Sequence, residues 1–178
     1  LMAGPEGDRL LHVDMTTQTT SFEDFPTEWK LLGGRGLSAK ILTRDCDPTC
    51  DALGPDNVLV MAPGVLSGSS APTSGRISIG GKSPLTGGIK EANAGGNPGQ
   101  HLMKLGIRAV VVKGQPADRN KRYGLRVNGE TVEVVAADDY KGMWNYALCA
   151  KLLENEAKTA SVISIGPAGE HMLSGASV

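Results

Sequence analysis

Glycine is concentrated in one part of this sequence. Ten of the 24 glycines of the 178-residue chain lie within the stretch from Pro63 to Gly99. Glycine adopts backbone conformations that other residues avoid, and it lets two segments approach closely. The other side chains of this glycine-rich block, residues 63–99, are mostly small or hydroxyl-bearing. The block therefore predicts tight turns, or a backbone that lies directly against a ligand.

The residues alone leave two interpretations of the glycine-rich block open. Backbone N–H groups in glycine-rich turns form concave anion sites, and Arg76 and Lys82 would add charge-assisted hydrogen bonds to a phosphate or a planar polar cofactor. Alternatively, the block is a set of hairpin turns whose glycines supply positive φ angles. The nucleotide motifs G-x-x-x-x-G-K-[ST] and G-x-G-x-x-G after a strand are absent from the sequence.

Charge and composition exclude several classes of protein. The net charge of −1 gives no general attraction to nucleic acid or to an anionic membrane. No apolar run is long enough to span a bilayer, and the first residues do not resemble a secretory signal. The three cysteines, Cys46, Cys50 and Cys149, are too few for a 4Fe-4S cluster, and their odd number favours a reducing compartment. We expect a cytoplasmic protein that binds neither nucleic acid nor membrane.

The hydrophobic pattern predicts an α+β fold. Hairpins and crossover helices alternate, and a hairpin, a helix and an apolar strand recur in each half of the chain, which favours mixed sheets over a doubly wound parallel sheet. The alternating and apolar runs predict strands over 9–15, 21–25, 58–62, 76–79, 89–93, 109–113, 123–127, 130–135 and 161–165. The helices are predicted over 27–33, 37–43, 98–105 and 145–158.

Several unusual strings, in a fixed order, resemble one enzyme family. They are RLLHVDMTTQTT, LLGGRGLSAKIL, LGPDNVLVMAPGVLSGSSAPTSGR, KSPLTGGI, EANAGG and SIGPAGE. Over nearly its whole length the chain is similar to the N-terminal domain of the aldehyde:ferredoxin oxidoreductase family, whose members carry tungsten or molybdenum on pterins. The resemblance implies two intertwined mixed β-sheets with a few helices, which serve as a base for a metal–pterin cofactor.

The resemblance also assigns roles to individual residues. Arg76, in TSGR, occupies the position of the family's pterin-contacting arginine. Asn93, in EANAGG, matches the residue whose main chain helps bind the Mg²⁺ that bridges the two pterin phosphates. No catalytic side chain is implied, because dithiolenes of two pyranopterins hold the tungsten or molybdenum. The cofactor-binding residues implied in this way are Arg76, Lys82, Asn93, Ala94, Gly95 and Gly96.

Two short segments depart from the family's pattern. Asn97-Pro98 follow the paired glycines, where family members usually carry bulky aromatic residues. Gly106-Ile107-Arg108 stand where a Gly-aromatic-Asp string often follows the helix. We expect different side-chain packing beside these two segments.

The activity implied by the resemblance belongs to a longer protein. Family members oxidise aldehydes to carboxylic acids and pass electrons through a 4Fe-4S cluster to ferredoxin or another acceptor. Residues 1–178 are expected to be a single N-terminal domain, truncated before its last segment and inactive alone. The expected partners are the remaining helical domains of the same polypeptide, the electron acceptor and the aldehyde, and a homodimer stays open. The alternatives are a stand-alone pterin-binding or assembly module without catalysis, and a structural domain without a ligand.

Overall fold

Eight strands and four α-helices occur in the part of the chain that the structure describes. The structure is a computed structural model, and it describes residues 8–129, 131–154, 156, 159–173 and 176. The strands are β1 (Arg9–Asp14), β2 (Thr19–Asp24), β3 (Leu59–Pro63), β4 (Ile77–Lys82), β5 (Ile89–Ala94), β6 (Ile107–Lys113), β7 (Tyr123–Asn128) and β8 (Thr131–Ala136). The helices are α1 (Gly34–Asp45), α2 (Pro98–Lys104), α3 (Asn145–Leu153) and α4 (Gly166–Glu170). The 3-10 turns Thr27–Trp29 and Asp138–Tyr140 precede α1 and α3.

A mixed six-stranded sheet forms the centre of the fold. Its strand order is β2-β1-β6-β3-β4-β5, in which β1 and β6 pair in parallel and the other neighbours are antiparallel. Strands β7 and β8 form a separate two-stranded sheet, where Asn128 pairs with Thr131 across the hairpin predicted from Asn128-Gly129. The predicted α+β class with mixed strand pairing is therefore confirmed.

Helix α1 covers one face of the six-stranded sheet. Its residues Leu37 and Ile41 are fully buried in the same hydrophobic cluster as Val60 of β3 and Val111 of β6. The helix lies very close to β4 at Gly80, where a Cβ atom would be only 2.2 Å from Oγ of Ser38 on α1. The glycine therefore determines how closely the helix can approach the sheet.

The opposite face of the sheet carries a second hydrophobic cluster. Its members come from β1 and β6, and side chains of α2 and of the β7–β8 hairpin pack at its margin. Because both faces of β6 are covered, that strand reads as a nearly continuous apolar run. The buried residues of this cluster are Leu11, Val13, Ile107 and Val110, and Leu102, Leu125 and Val134 are among the partly buried ones.

Arg108 is a buried cation on β6. Its side chain is 4% exposed, and Nη1 lies 2.8 Å from Oδ2 of Asp8. Nη2 donates hydrogen bonds to the main-chain oxygens of Lys30 and Leu32, and the guanidinium lies 4.6 Å from the centre of the Phe25 ring. An arginine at this departure from the family's pattern therefore joins β6 to the segment that precedes α1.

Four predicted elements differ from the structure. The helix expected over residues 27–33 is only the 3-10 turn Thr27–Trp29, and α1 begins at Gly34 instead of Leu37. The glycine pair at 33–34 starts the second helix, with Gly33 extended as its N-cap, instead of ending the first one. The strand expected over 161–165 is wrong, since no described strand pairs with it. The helix expected over 145–158 ends at Leu153, and residues 155, 157 and 158 lie outside the described residues.

Candidate functional site

The residues assigned to the cofactor by resemblance meet, with one exception, at one end of the β4–β5 hairpin. The strand register pairs Ile77 with Ala94 and Ser78 with Asn93. Arg76, directly before β4, therefore lies beside Gly95, directly after β5, and a Cβ on Gly95 would be 3.9 Å from Nη1 of Arg76. The residues brought together are Arg76, Asn93, Ala94, Gly95 and Gly96, and we refer to them as the Arg76 platform.

A chain of hydrogen bonds connects the Arg76 platform to the first turn of α1. Nε of Arg76 donates to Oδ1 of Asn93, and Nδ2 of Asn93 donates to Oγ of Ser78 at 3.2 Å. The Ser78 hydroxyl donates to Oε1 of Glu91 at 2.6 Å, and Oε2 of Glu91 accepts a bond from Nε of Arg35 at 3.1 Å. Two strings that carry the family resemblance, LLGGRGLSAKIL and EANAGG, thus share one network with the strand that follows TSGR, and this network fixes the Asn93 side chain.

Glu91 is the anion of this network. The hydrogen bond from the Ser78 hydroxyl, together with the Arg35 guanidinium, holds the pKa of Glu91 below its usual value. Oε2 of Glu91 also lies 3.0 Å from Nη2 of Arg35, whose side chain is 78% exposed. An ion pair this exposed contributes little to folding stability. The ion pair instead orients the hydrogen bonds of the network. An ionised Glu91 accepts a hydrogen bond from the Ser78 hydroxyl, so the Ser78 oxygen can accept one from Asn93.

Glycines around Arg76 produce a surface almost free of side chains. At Gly75 a Cβ atom would lie 2.5 Å from Nε2 of Gln100, so this glycine lets α2 approach. Gly96 has a φ angle of +104°, which residues with a side chain rarely adopt. Both Gly95 and Gly96 are exposed. One glycine thus admits a neighbouring segment and the others leave bare backbone beside a cation, whereas ligand binding by this backbone stays a prediction.

The donors and acceptors of the Arg76 platform fit a phosphate-bearing, planar ligand. Arg76 is exposed, and within the described ranges neither Nη1 nor Nη2 has a hydrogen-bond partner. Because Asn93 holds Nε, the guanidinium is oriented in advance, and two terminal nitrogens stay available for a bidentate contact with phosphate oxygens. β5 is an edge strand, so alternate main-chain carbonyls face away from β4 and present the hard oxygen atoms that Mg²⁺ prefers.

Lys82 is the exception among the assigned residues. It is the last residue of β4, at the opposite end of the hairpin from Arg76. Six residues of extended strand separate them by about 20 Å. Nζ of Lys82 donates to the main-chain oxygens of Pro48 and Cys50 at 2.6 and 2.5 Å. The structure thus places Lys82 with the turn after α1, and a cofactor contact for it stays a prediction.

Sequence reasoning missed three residues of the network, namely Arg35, Ser78 and Glu91. Side chains two residues apart in a strand lie on the same face, so Glu91 lies on the same face of β5 as Asn93. Ser78 lies directly opposite Asn93 in the register, which is not readable before β4 and β5 are paired. Strand alternation could therefore have found Glu91, whereas Arg35 depends on how α1 packs on the sheet.

A cavity lies away from the Arg76 platform. A cavity of about 580 Å³ on the other side of β3–β5 is lined by side chains such as Ile79 and Ala92, which alternate with Ser78 and Asn93 along the strands. Among the described residues, no group of three or more His, Cys, Asp and Glu side chains could hold a metal ion. In the same part of the chain, no helix has the length and apolar character needed to cross a membrane.

Comparisons with known proteins agree with the family resemblance of the sequence. Residues 10–178 match the family model described as aldehyde ferredoxin oxidoreductase, N-terminal domain. Among curated proteins, the tungsten-containing aldehyde ferredoxin oxidoreductase of Pyrococcus furiosus is 36% identical over 180 residues, and that of Pyrococcus abyssi is 38% identical over 176. Each alignment covers 96% of this chain and 28% of the relative, so the chain spans little more than a quarter of their length.

A solved structure shows the same fold. It is the active-site complex BamBC of benzoyl coenzyme A reductase, in complex with 1,5-dienoyl-CoA, and it superposes with a TM-score of 0.77 at 26% sequence identity. The superposition covers 82% of this chain and 22% of that chain. With a family model that matches almost every residue and relatives that align along nearly the whole sequence, the chain belongs to the aldehyde ferredoxin oxidoreductase family, within its N-terminal domain.

Proposed function

We propose that this chain is the cofactor-binding N-terminal domain of an oxidoreductase that oxidises aldehydes to carboxylic acids. One observation carries the proposal, namely the juxtaposition of Arg76, Asn93 and the bare backbone of Gly95 and Gly96 at one end of β4–β5. Relatives named tungsten-containing aldehyde ferredoxin oxidoreductases support it. The chain covers 28% of those relatives, so the activity belongs to a polypeptide of their length.

The platform's residues divide the binding of a bis-pyranopterin among them. Arg76 donates from Nη1 and Nη2 to the pterin or its phosphate, and Asn93 fixes the plane of that guanidinium. The main chain of Asn93 would supply an oxygen ligand to a Mg²⁺ ion bound with the phosphates. Gly95 and Gly96 give a phosphate unobstructed access to backbone N–H groups beside Ala94. When bound, the tungsten or molybdenum centre supplies the two-electron oxidation chemistry.

The remaining steps of the proposed activity are assigned to the rest of the polypeptide. A 4Fe-4S cluster takes four thiolates, more than the three cysteines of this sequence, so its ligands are proposed to come from later domains. We assign to those domains the aldehyde pocket and the transfer of electrons to ferredoxin or another acceptor. We propose a cytoplasmic location and leave a homodimer open.

The first experiment measures the metal and pterin content of the intact protein, purified without oxygen. We expect bound tungsten or molybdenum, a pterin, and aldehyde-dependent reduction of a viologen dye. Arg76→Ala removes a charged pair of donors, and loss of a charge-assisted contact corresponds to roughly tenfold or more in cofactor affinity. Arg126→Ala on β7 removes an exposed arginine that pairs with Glu156 instead, and it should retain the cofactor.

The same measurements separate the proposal from its alternative. Bound pterin without aldehyde-dependent dye reduction would favour a pterin-binding or assembly module without catalysis. Intact wild-type protein that contains neither metal nor pterin would contradict both. Full cofactor retention by Arg76→Ala would contradict a role of the Arg76 platform in binding the cofactor.

A further inference from the structure

Two cysteines face each other in the turn that follows α1. The sequence there is Cys46-Asp-Pro-Thr-Cys50, and the two Sγ atoms are 3.7 Å apart. Both thiols are free and partly exposed, so a small reagent can reach them. A disulfide needs an S–S distance of about 2.05 Å, so the two sulfur atoms must approach each other by a further ~1.6 Å.

The backbone of this turn is already held in a closed shape. The N–H group of Cys50 donates to the main-chain oxygen of Asp47 at 3.1 Å. Oδ1 of Asp47 accepts bonds from both the N–H group and the hydroxyl of Thr49, each at 2.7 Å. Nζ of Lys82 binds the Cys50 carbonyl from outside at 2.5 Å. Because the turn is closed in the reduced chain, forming the disulfide orders few additional groups.

We propose that Cys46 and Cys50 form a site of reversible disulfide modification, which is distinct from the function proposed for the Arg76 platform. The oxidant is a small-molecule disulfide of the glutathione class. The thiolate of one cysteine attacks that disulfide, forms a mixed disulfide and releases one small thiol. The second cysteine then attacks the protein sulfur of the mixed disulfide and releases the second small thiol. The two cysteines lose two electrons and two protons, and the oxidant gains both.

The surroundings of the two thiols determine how this modification responds to pH and what it affects. Burial and the neighbouring Cys46 thiol raise the pKa of Cys50, so exchange speeds up as pH rises. The turn also contacts the sheet, because Asn57 lies 3.8 Å from Sγ of Cys46 and bonds both main-chain groups of Lys82. Oxidation of the two cysteines would therefore change the turn that contacts Lys82 at the end of β4.

The sequence around the pair permits a direct test on the intact protein. Trypsin releases residues 45–76 as one peptide, which contains Cys46 and Cys50 and no other cysteine. Reduced protein is equilibrated with mixtures of glutathione and glutathione disulfide and quenched in acid. It is then alkylated and digested, and the peptide masses are measured by mass spectrometry. We expect the peptide to change from two alkyl labels to none, with the loss of two hydrogen atoms and a midpoint independent of protein concentration.

The third cysteine, Cys149, and two substitutions serve as controls. The peptide 142–151 contains only Cys149, which should stay alkylated or carry a glutathione adduct, and Cys149→Ser should leave the 45–76 result unchanged. Cys46→Ser should abolish the loss of two hydrogens and leave Cys50 alkylated or as a glutathione adduct. Wild-type peptide that keeps both labels in excess glutathione disulfide, or that carries glutathione instead of an internal bond, would overturn the proposal.

Discussion

At the scale of single residues, Asn93 has separate tasks for its side chain and its main chain. The side-chain amide accepts from Arg76 and donates to Ser78. The main chain is the group that the family resemblance assigns to Mg²⁺. An amide side chain makes both contacts at once, because its oxygen accepts from the guanidinium and its nitrogen donates to the hydroxyl oxygen. An aspartate would keep the first contact and lose the second, unless it were protonated.

A cluster of charged residues joins α1 to β1, β2 and β6. Burial alone would raise the pKa of Glu23, but hydrogen bonds from Arg44 and His12 outweigh it and leave the pKa below its ordinary value of 4.5. Burial likewise opposes a lower pKa at Asp45, where Arg44 and Lys113 prevail. Carboxylates with a pKa depressed on folding stabilise the native state only while they are ionised.

We therefore predict that this cluster loses its stabilising effect in acid. The stabilisation from Glu23 is fully present above pH 4.5 and disappears as pH falls through its lower, folded-state pKa. Glu23→Gln should reduce the free energy of unfolding at pH 7 and make it depend less on pH below 4.5. Urea unfolding between pH 7 and pH 3 measures both effects. The control is Glu133→Gln at an exposed position of β8, and an equal flattening in that variant would contradict the assignment.

At the scale of elements, the contact between α1 and β4 is closer than any side chain at position 80 would allow. The hydroxyl of Ser38 lies in this contact, buried and without a hydrogen-bond partner among the described residues. A buried hydroxyl without a partner costs folding free energy. Ser38 and Gly80 should therefore be energetically coupled.

A double-mutant cycle tests this coupling. Gly80→Ala should destabilise the domain by about 2–3 kcal/mol, because overpacking forces α1 away from β4. Ser38→Ala should be neutral or stabilising by up to about 1 kcal/mol, since it removes an unsatisfied polar atom. The double variant should lose clearly less than the sum, since the nearest atom to the new methyl group is gone. Denaturant unfolding measures all three, and strict additivity would contradict the packing account.

The sequence predicted most elements but not all of their boundaries. The β7–β8 hairpin and β6 were readable because alternation, an Asn-Gly turn and a continuous apolar run are local signals. Residues 161–165 have the same alternation, yet a strand requires a partner and no described strand provides one. The glycines at 33–34 look like a helix end, but close packing against Val65 selects glycine there: a Cβ on Gly33 would lie 2.5 Å from the Val65 backbone nitrogen. The residues of the Arg76 platform were predicted from the strings that resemble the family. Ser78 and Arg35 could be identified only from the tertiary structure.

At the scale of the whole molecule, one run of four elements occurs twice in the chain. β1, β2, a 3-10 turn and α1 in the first half correspond to β7, β8, a 3-10 turn and α3 in the second. The halves differ in burial. α1 contains four buried residues, including Leu37 and Ile41, whereas α3 contains none, and Tyr146 on α3 is 92% exposed.

We predict that hydrogen exchange in this chain follows that difference. Amides of β1, β3 and β6 should exchange only through global unfolding, because these strands lie inside the six-stranded sheet and supply both hydrophobic clusters. Amides of α3 and α4 should exchange faster by several orders of magnitude, as no buried side chain anchors either helix. Mass spectrometry of exchanged peptides measures this. Protection of α3 equal to that of α1 in residues 1–178 would contradict it.

The position of β6 also determines when the Arg76 platform can be completed during synthesis. β6 lies between β1 and β3 and is the strand that joins β2-β1 to β3-β4-β5. Asp14 of β1 pairs with Lys113 of β6, so at about 5–20 residues per second the first hairpin waits roughly 5–20 s for its partner strand. Arg76 and Gly96 leave the ribosome earlier, in the three strands β3-β4-β5, and the β3 edge of these strands has no partner until β6 arrives. We therefore expect the proposed cofactor to load onto this platform only after residue 113 has been translated, when the β3 edge is paired.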